Sequence, residues 1–165
     1  TITFPYAYGL GVAGTSLVGQ MHGQKRPDLS QLYGKVTQRM AMCVAFVLMS
    51  IIIALRYPLV SLFAKEPDVL AMAAQVMLMV AIFQPFQTSA VVLSGCLRGA
   101  GDTRFVAVVM IVCVALIRPI ASLVAIHVLG FGLMGAWAAS LCDMILRLVC
   151  VYRRFSSGKW FHIKV

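Results

Sequence analysis

The chain has 165 residues, 61% of them hydrophobic and only 12% charged. Soluble domains are about 45–50% apolar and about 25% charged, so an ordinary water-soluble core cannot absorb this much apolar side chain. A formal charge of +9 would suit nucleic acid in a soluble protein, but here the Lys and Arg lie mostly between apolar runs, where they read as membrane anchors; no nucleic-acid partner is expected.

Five apolar runs follow one another, and a run of about 20 residues crosses the hydrocarbon core of a bilayer. The first, about 2–21, is charge-free and rich in Gly. The second, about 29–63, opens with a polar third containing Gln31, Lys35, Gln38 and Arg39. The third, about 67–97, opens on Pro67 and Asp68, a helix-start signal, and has no charge from Val69 to Leu97. The fourth, about 103–129, carries one charge beyond Arg104 at its start, Arg118, and the fifth spans about 134–152. Helices are the open-ended elements that satisfy their own backbone in lipid. The expected fold class is therefore all-α, a polytopic membrane protein of five spans. The first residues, Thr-Ile-Thr-Phe-Pro, have no basic n-region and do not read as a signal peptide. They read as the interior of a longer protein.

The connections alternate in charge. Lys25 and Arg26 lie in the first, with Lys35 and Arg39 just beyond; Arg98 and Arg104 flank the third; Arg153, Arg154, Lys159 and Lys164 follow the fifth run. The second connection sets Lys65 against Glu66 and Asp68, and the fourth, residues 130–135, has no charge. Excess Lys and Arg mark the cytoplasmic side. The first and third connections and the C-terminus are thus expected in the cytoplasm, with the chain in a plasma membrane, a bacterial inner membrane fitting best. Trp160 and Phe161 would suit the inner interface.

Several residues stand out against this apolar background. Gly11, Thr15 and Gly19, four apart, form a small-residue stripe that would let a second helix approach closely; an unwound, ligand-facing segment is the alternative. The Gly9-x-Gly11-x-x-Gly14 and Gly130-x-Gly132-x-x-Gly135 patterns lack the strand–turn–helix setting of a dinucleotide site. Gln84 and Gln87 flank Pro85 in mid-span, and Arg118 precedes Pro119. Amides and a guanidinium at that depth need polar partners, so all three are candidates to line a substrate cavity, with plain structural bonding the competing reading. Asp143 and Arg147 are spaced for an intrahelical ion pair, acid first; a proton relay is the functional alternative. In the Arg98–Arg104 turn, Gly99 and Gly101 would permit a tight bend and Asp102 or Thr103 would cap the next helix. Five cysteines, Cys43, Cys96, Cys113, Cys142 and Cys150, read as small buried apolar groups. Neither they nor His22, His127 and His162 make a metal cluster, and no metal or cofactor is expected.

Four motifs carry a resemblance: Leu17-Val18-Gly19-Gln20-x-x-Gly23; Leu97-Arg98-Gly99-Ala100-Gly101-Asp102-Thr103-Arg104; Gly132-Leu133-Met134-Gly135-Ala136-Trp137; and Arg154-Phe155-x-x-Gly158-Lys159-Trp160. In order and spacing the chain resembles the C-terminal half, helices eight to twelve, of the multidrug and toxic compound extrusion (MATE) transporters. The resemblance implies an incomplete six-helix lobe facing an N-terminal lobe across a central cavity. It also implies export of cationic or amphipathic compounds in exchange for H⁺ or Na⁺. The acid that some members carry on the tenth helix has no counterpart in 69–97, where Gln84 and Gln87 are the nearest polar substitutes, so the resemblance implies that a full-length parent couples to its cation through the N-terminal lobe. A lipid-linked saccharide flippase of the same superfamily would favour more cavity cations than Arg118. An intramembrane enzyme would need several converging acids, His or Ser, and only Asp143 qualifies. An inactive truncated fragment is the remaining alternative.

Overall fold

The computed structural model describes residues 3–62, 67–128 and 132–162. The second connection at 63–66 and the start of the fourth at 129–131 lie outside them. The elements are helices: α1 (Thr3–Gly23), α2 (Pro27–Ser61), α3 (Pro67–Gly99), α4 (Thr103–Met110), α5 (Arg118–Leu123) and α6 (Gly132–Ser156), closed by a 3₁₀ turn at Lys159–His162. Wide π-helical turns at Ile111–Ile117 and Val124–Val128 join α4 and α5 into one rod over residues 103–128. Three helical stretches, Pro27–Ser61, Leu70–Gly99 and Thr103–Ile126, are long and apolar enough to cross a membrane.

The rod's π turns bracket Pro119. A proline has no N–H, and its ring collides with the carbonyl four residues back. Widening to a five-residue repeat relieves that collision, and the Arg118 N–H accordingly bonds the Cys113 carbonyl.

Contacts between the helices fix their directions. Tyr6 meets Thr88 and Thr15 meets Gly95, so α1 and α3 are parallel. Phe83 meets Trp137 near one end and Asp102 meets Arg154 at the other, so α3 and α6 are parallel as well. Ser30 bonds the Val18 carbonyl while Met42 reaches Ser89, so α2 runs the opposite way. The basic ends of α1, α3 and α6 therefore lie together, at the end where α2 and α4 begin.

The α1–α3 seam is built on missing side chains. Gly11, Thr15 and Gly19 of α1 face Val91, Gly95 and Gly99 of α3. The Thr15 hydroxyl donates to the carbonyls of Gly11 (2.8 Å) and Gly95 (2.9 Å). A Cβ on Gly95 would land on the Gly11 carbonyl, and one on Gly99 on the Thr15 carbonyl. Gly99 thus serves helix approach within α3 instead of the bend expected of it. The bend belongs to Gly101, at φ +88°. There α3 ends in a Schellman arrangement, with Gly101 N–H on the Arg98 carbonyl (3.1 Å) and Asp102 N–H on the Leu97 carbonyl (2.9 Å).

The main core lies at the basic end. Val18, Ala41, Leu93, Cys96, Leu97, Val106, Val151, Phe155 and Trp160 meet there. The Trp160 indole N–H bonds the Phe155 carbonyl at 2.9 Å, and the two rings stack at 5.4 Å. Phe155 lies directly over Gly34, where a Cβ would enter its ring. Trp160 is fully buried, so it plugs the core instead of facing the inner interface as its sequence position suggests. Cysteine use is likewise mixed: Cys96 and Cys113 are buried, Cys43 and Cys142 exposed.

Outside this core the helices turn large apolar side chains outward. Val44, Val47, Ile51 and Leu55 do so on α2, and Val108, Ile111, Leu116 and Ile120 do so along the 103–128 rod. Faces of this kind suit lipid or further helices and are foreign to a water-exposed surface.

Candidate functional site

Polar groups in an apolar bundle are few, and each has an identifiable position. α3 carries the largest group of buried ones, Gln84, Thr88, Ser89 and Ser94, with Gln87 half-buried. The hydroxyls of Thr88 and Tyr6 bond at 2.7 Å, and the Ser89 hydroxyl lies 2.8 Å from the Met42 sulfur. These bonds tie the middle of α3 to α1 and α2, and Phe83 beside Gln84 packs 6.3 Å from Trp137 of α6. The three serines and threonines were not picked out from the sequence. The signal available was their spacing, 88, 89 and 94, in a helix otherwise free of hydroxyls.

Arg118 lies elsewhere. It is exposed on α5, which packs mainly on α6 and the π turns beside it. The structure does not bring Arg118 and Gln87 together, although counting from the shared turn puts them at similar depth. A partner for Arg118 would come from beyond the described residues.

Asp143 is the most exacting group. It is fully buried on α6, and neither carboxylate oxygen has a hydrogen-bond partner. The ion pair expected with Arg147 is not formed. The Arg147 Nε is also buried and unpartnered, while its Nη1 points to the Met110 sulfur at 3.4 Å. Cys113 of the 103–128 rod lies near Asp143, and Arg147 and Cys150 of α6 lie near the same cysteine. A buried polar atom without a partner costs about 1–3 kcal/mol, and more when charged. Depth follows from the helix rise: Asp143 is 11 residues before Arg154, about 16 Å at 1.5 Å per residue. Gln87 is likewise 11 residues before Arg98, and the Asp102–Arg154 bridge sets the two helix ends level. Asp143 and Gln87 therefore share a depth on parallel helices.

That bridge is the ion pair found among the described residues: Arg154 Nε to Asp102 Oδ2, 2.7 Å. Arg154 also lies over the Phe105 ring at 4.9 Å. Asp102 makes no side-chain cap to α4, so the expected capping role gives way to a clamp between the 98–104 turn and the end of α6. Arg104 is exposed, and exposed Arg98 donates from Nε to the Ser94 carbonyl at 3.3 Å. Among the described residues no group of three or more His, Cys, Asp or Glu could hold a metal ion.

With this geometry in view, similarity to known proteins becomes decisive. The MatE family model matches residues 1–124. The chain belongs to the MatE family. A Thermotoga maritima protein named "Probable multidrug resistance protein NorM" is 28% identical over 162 residues, which are 97% of this chain and 34% of that protein. The "Uncharacterized transporter YisQ" of Bacillus subtilis is 38% identical over 103 residues, 62% of this chain and 22% of the relative. The "Multidrug resistance protein MdtK" of Edwardsiella ictaluri is 34% identical over 104 residues, covering 63% and 23%. The chain spans about a third or less of the length of these MatE relatives. Its family and its apolar helices place it in a membrane.

Proposed function

We propose that this MatE chain forms the C-terminal stretch of a secondary antiporter that exports cationic or amphipathic compounds in exchange for H⁺ or Na⁺. An N-terminal lobe supplies the other wall of the cavity, and the two lobes alternate access by rocking about a mid-membrane site. The C-terminus is cytoplasmic. The similarity to proteins named for multidrug resistance supports the transport class.

The observation that carries the coupling half of the reading is Asp143. A fully buried carboxylate without a partner, in an apolar helix, gains one by binding a proton or a cation. Loading neutralises it and unloading restores the charge, so its preferred surroundings differ between the two states. Gln87, half-buried on the parallel helix, offers an amide for orienting a substrate at the same depth. Export of a permanently cationic dye against an imposed ion gradient tests this, in the Thermotoga maritima relative carrying this chain in place of its matched stretch. Asp143→Asn should lower gradient-driven ethidium export about tenfold or more at unchanged protein level, and Asp143→Glu should keep part of it. Full gradient-driven export by Asp143→Asn would assign coupling to groups outside this chain.

A further inference from the structure

A second feature has no place in the transport reading. Between α2 and α6, at the basic end of the bundle, runs an open groove of about 650 Å³. Lys35, Gln38 and Arg39 line it toward the helix ends, Phe46 lies deeper, and Tyr152 and Phe155 form the facing wall. Its level is fixed by Phe155, which packs on Gly34, next to Lys35. The cations therefore stand where α6 leaves its apolar stretch, and Met42, Cys43 and Phe46 continue one and two turns toward the middle of the membrane.

Neither cation is paired, since Arg154–Asp102 is the ion pair among the described residues. Lys35 and Arg39 are one helical turn apart, an arrangement of like charges that repels when unrelieved. A packed helix covering this groove would have to bury both. An anion shared between them removes the repulsion and gains charge-assisted hydrogen bonds. The groove is thus cationic at the membrane boundary and apolar below it, the complement of a lipid with an anionic head and acyl chains.

We propose that this groove binds one anionic phospholipid, its phosphate held by Lys35 and Arg39 and one acyl chain laid along Met42, Cys43 and Phe46. Basic pockets between membrane helices hold anionic head groups in this manner. The Tyr152 side chain, exposed at the rim, closes the side of the groove at head-group level. The bound lipid would join α2 to α6 at a level where their own side chains leave a gap.

Native mass spectrometry of the full chain released from detergent micelles tests the proposal, with phosphatidylglycerol and phosphatidylcholine of identical acyl chains as probes. The chain should retain one phosphatidylglycerol about tenfold more readily than phosphatidylcholine, since the two cations attract a net negative head group. Lys35→Gln with Arg39→Gln should bring that preference close to parity. Lys25→Gln with Arg153→Gln, the same loss of charge outside the groove, should preserve it, and so should Lys35→Arg. Equal retention of both lipids by the unaltered chain would overturn the proposal. So would a full preference in the Lys35/Arg39 variant, or displacement of the lipid by excess inorganic phosphate, which would mark the site as one for the free ion. A dimer of the chain that disappears with the Lys35/Arg39 variant would assign the groove to a second copy instead.

Discussion

Gly95 and Gly99 show how little room the bundle leaves at its tightest point. Each stands against a carbonyl of α1, and carbonyls within a helix cannot swing aside as a flexible side chain can. Gly95→Ala or Gly99→Ala should therefore destabilise by about 1–3 kcal/mol, the usual cost of overpacking. Gly9→Ala and Gly23→Ala, where a Cβ meets nothing within 4 Å, should be close to neutral. Thermal aggregation midpoints of the detergent-solubilised variants give the comparison, and four equal midpoints would remove the seam from the account. Half of this seam was legible in the sequence, because 11, 15 and 19 repeat at the helical period. The other half was not: Gly95 and Gly99 sit among apolar neighbours, and the better-known job of a glycine beside Gly101, making a turn, drew Gly99 away from its role in packing. Asp102 was misread for a similar reason. Local rules favour a cap, and the sequence does not reveal that Arg154, 52 positions later, arrives within 2.7 Å.

Among the elements, helix identity followed from the apolar runs, and α2, α3 and α6 begin at Pro27, Pro67 and Gly132. The interruption of the fourth run by two π turns was foreshadowed by Pro119, which demanded some departure from a regular ladder, but the form of that departure depends on how the rod settles against α6. The parallel course of α1, α3 and α6, with α2 and the 103–128 rod opposed, gathers Arg26, Arg98, Arg104, Arg153 and Arg154 at one end. Positive residues stay on the cytoplasmic side. Alkaline phosphatase fused after Lys65 or Phe131 should accordingly be active, and fused after Arg26 or Arg104 inactive; the opposite pattern would invert the orientation. The groove between α2 and α6 belongs to this scale too. Lys35 and Arg39 read in the sequence only as the polar start of a span, because the wall that makes them a site comes from a helix more than a hundred residues further on.

The whole molecule presents apolar outer faces, a tightly packed basic end, and an unpartnered carboxylate about 16 Å inside. Class and family were legible from composition and four motifs, since both depend on patterns along the chain. The state of Asp143 was not, because its spacing from Arg147 permits an ion pair, whereas in the fold Arg147 turns to the Met110 sulfur and the carboxylate has no partner. On the proposed function, this chain is one part of an exporter and works only with the rest. Ethidium efflux from proteoliposomes under an imposed H⁺ or Na⁺ gradient tests it most directly, comparing the chain alone with the Thermotoga maritima relative that carries it in place of its own matched stretch. Gradient-driven export is expected of the joined protein and none of the chain alone. Export by the chain alone, or none by a joined protein that is folded and inserted, would contradict it.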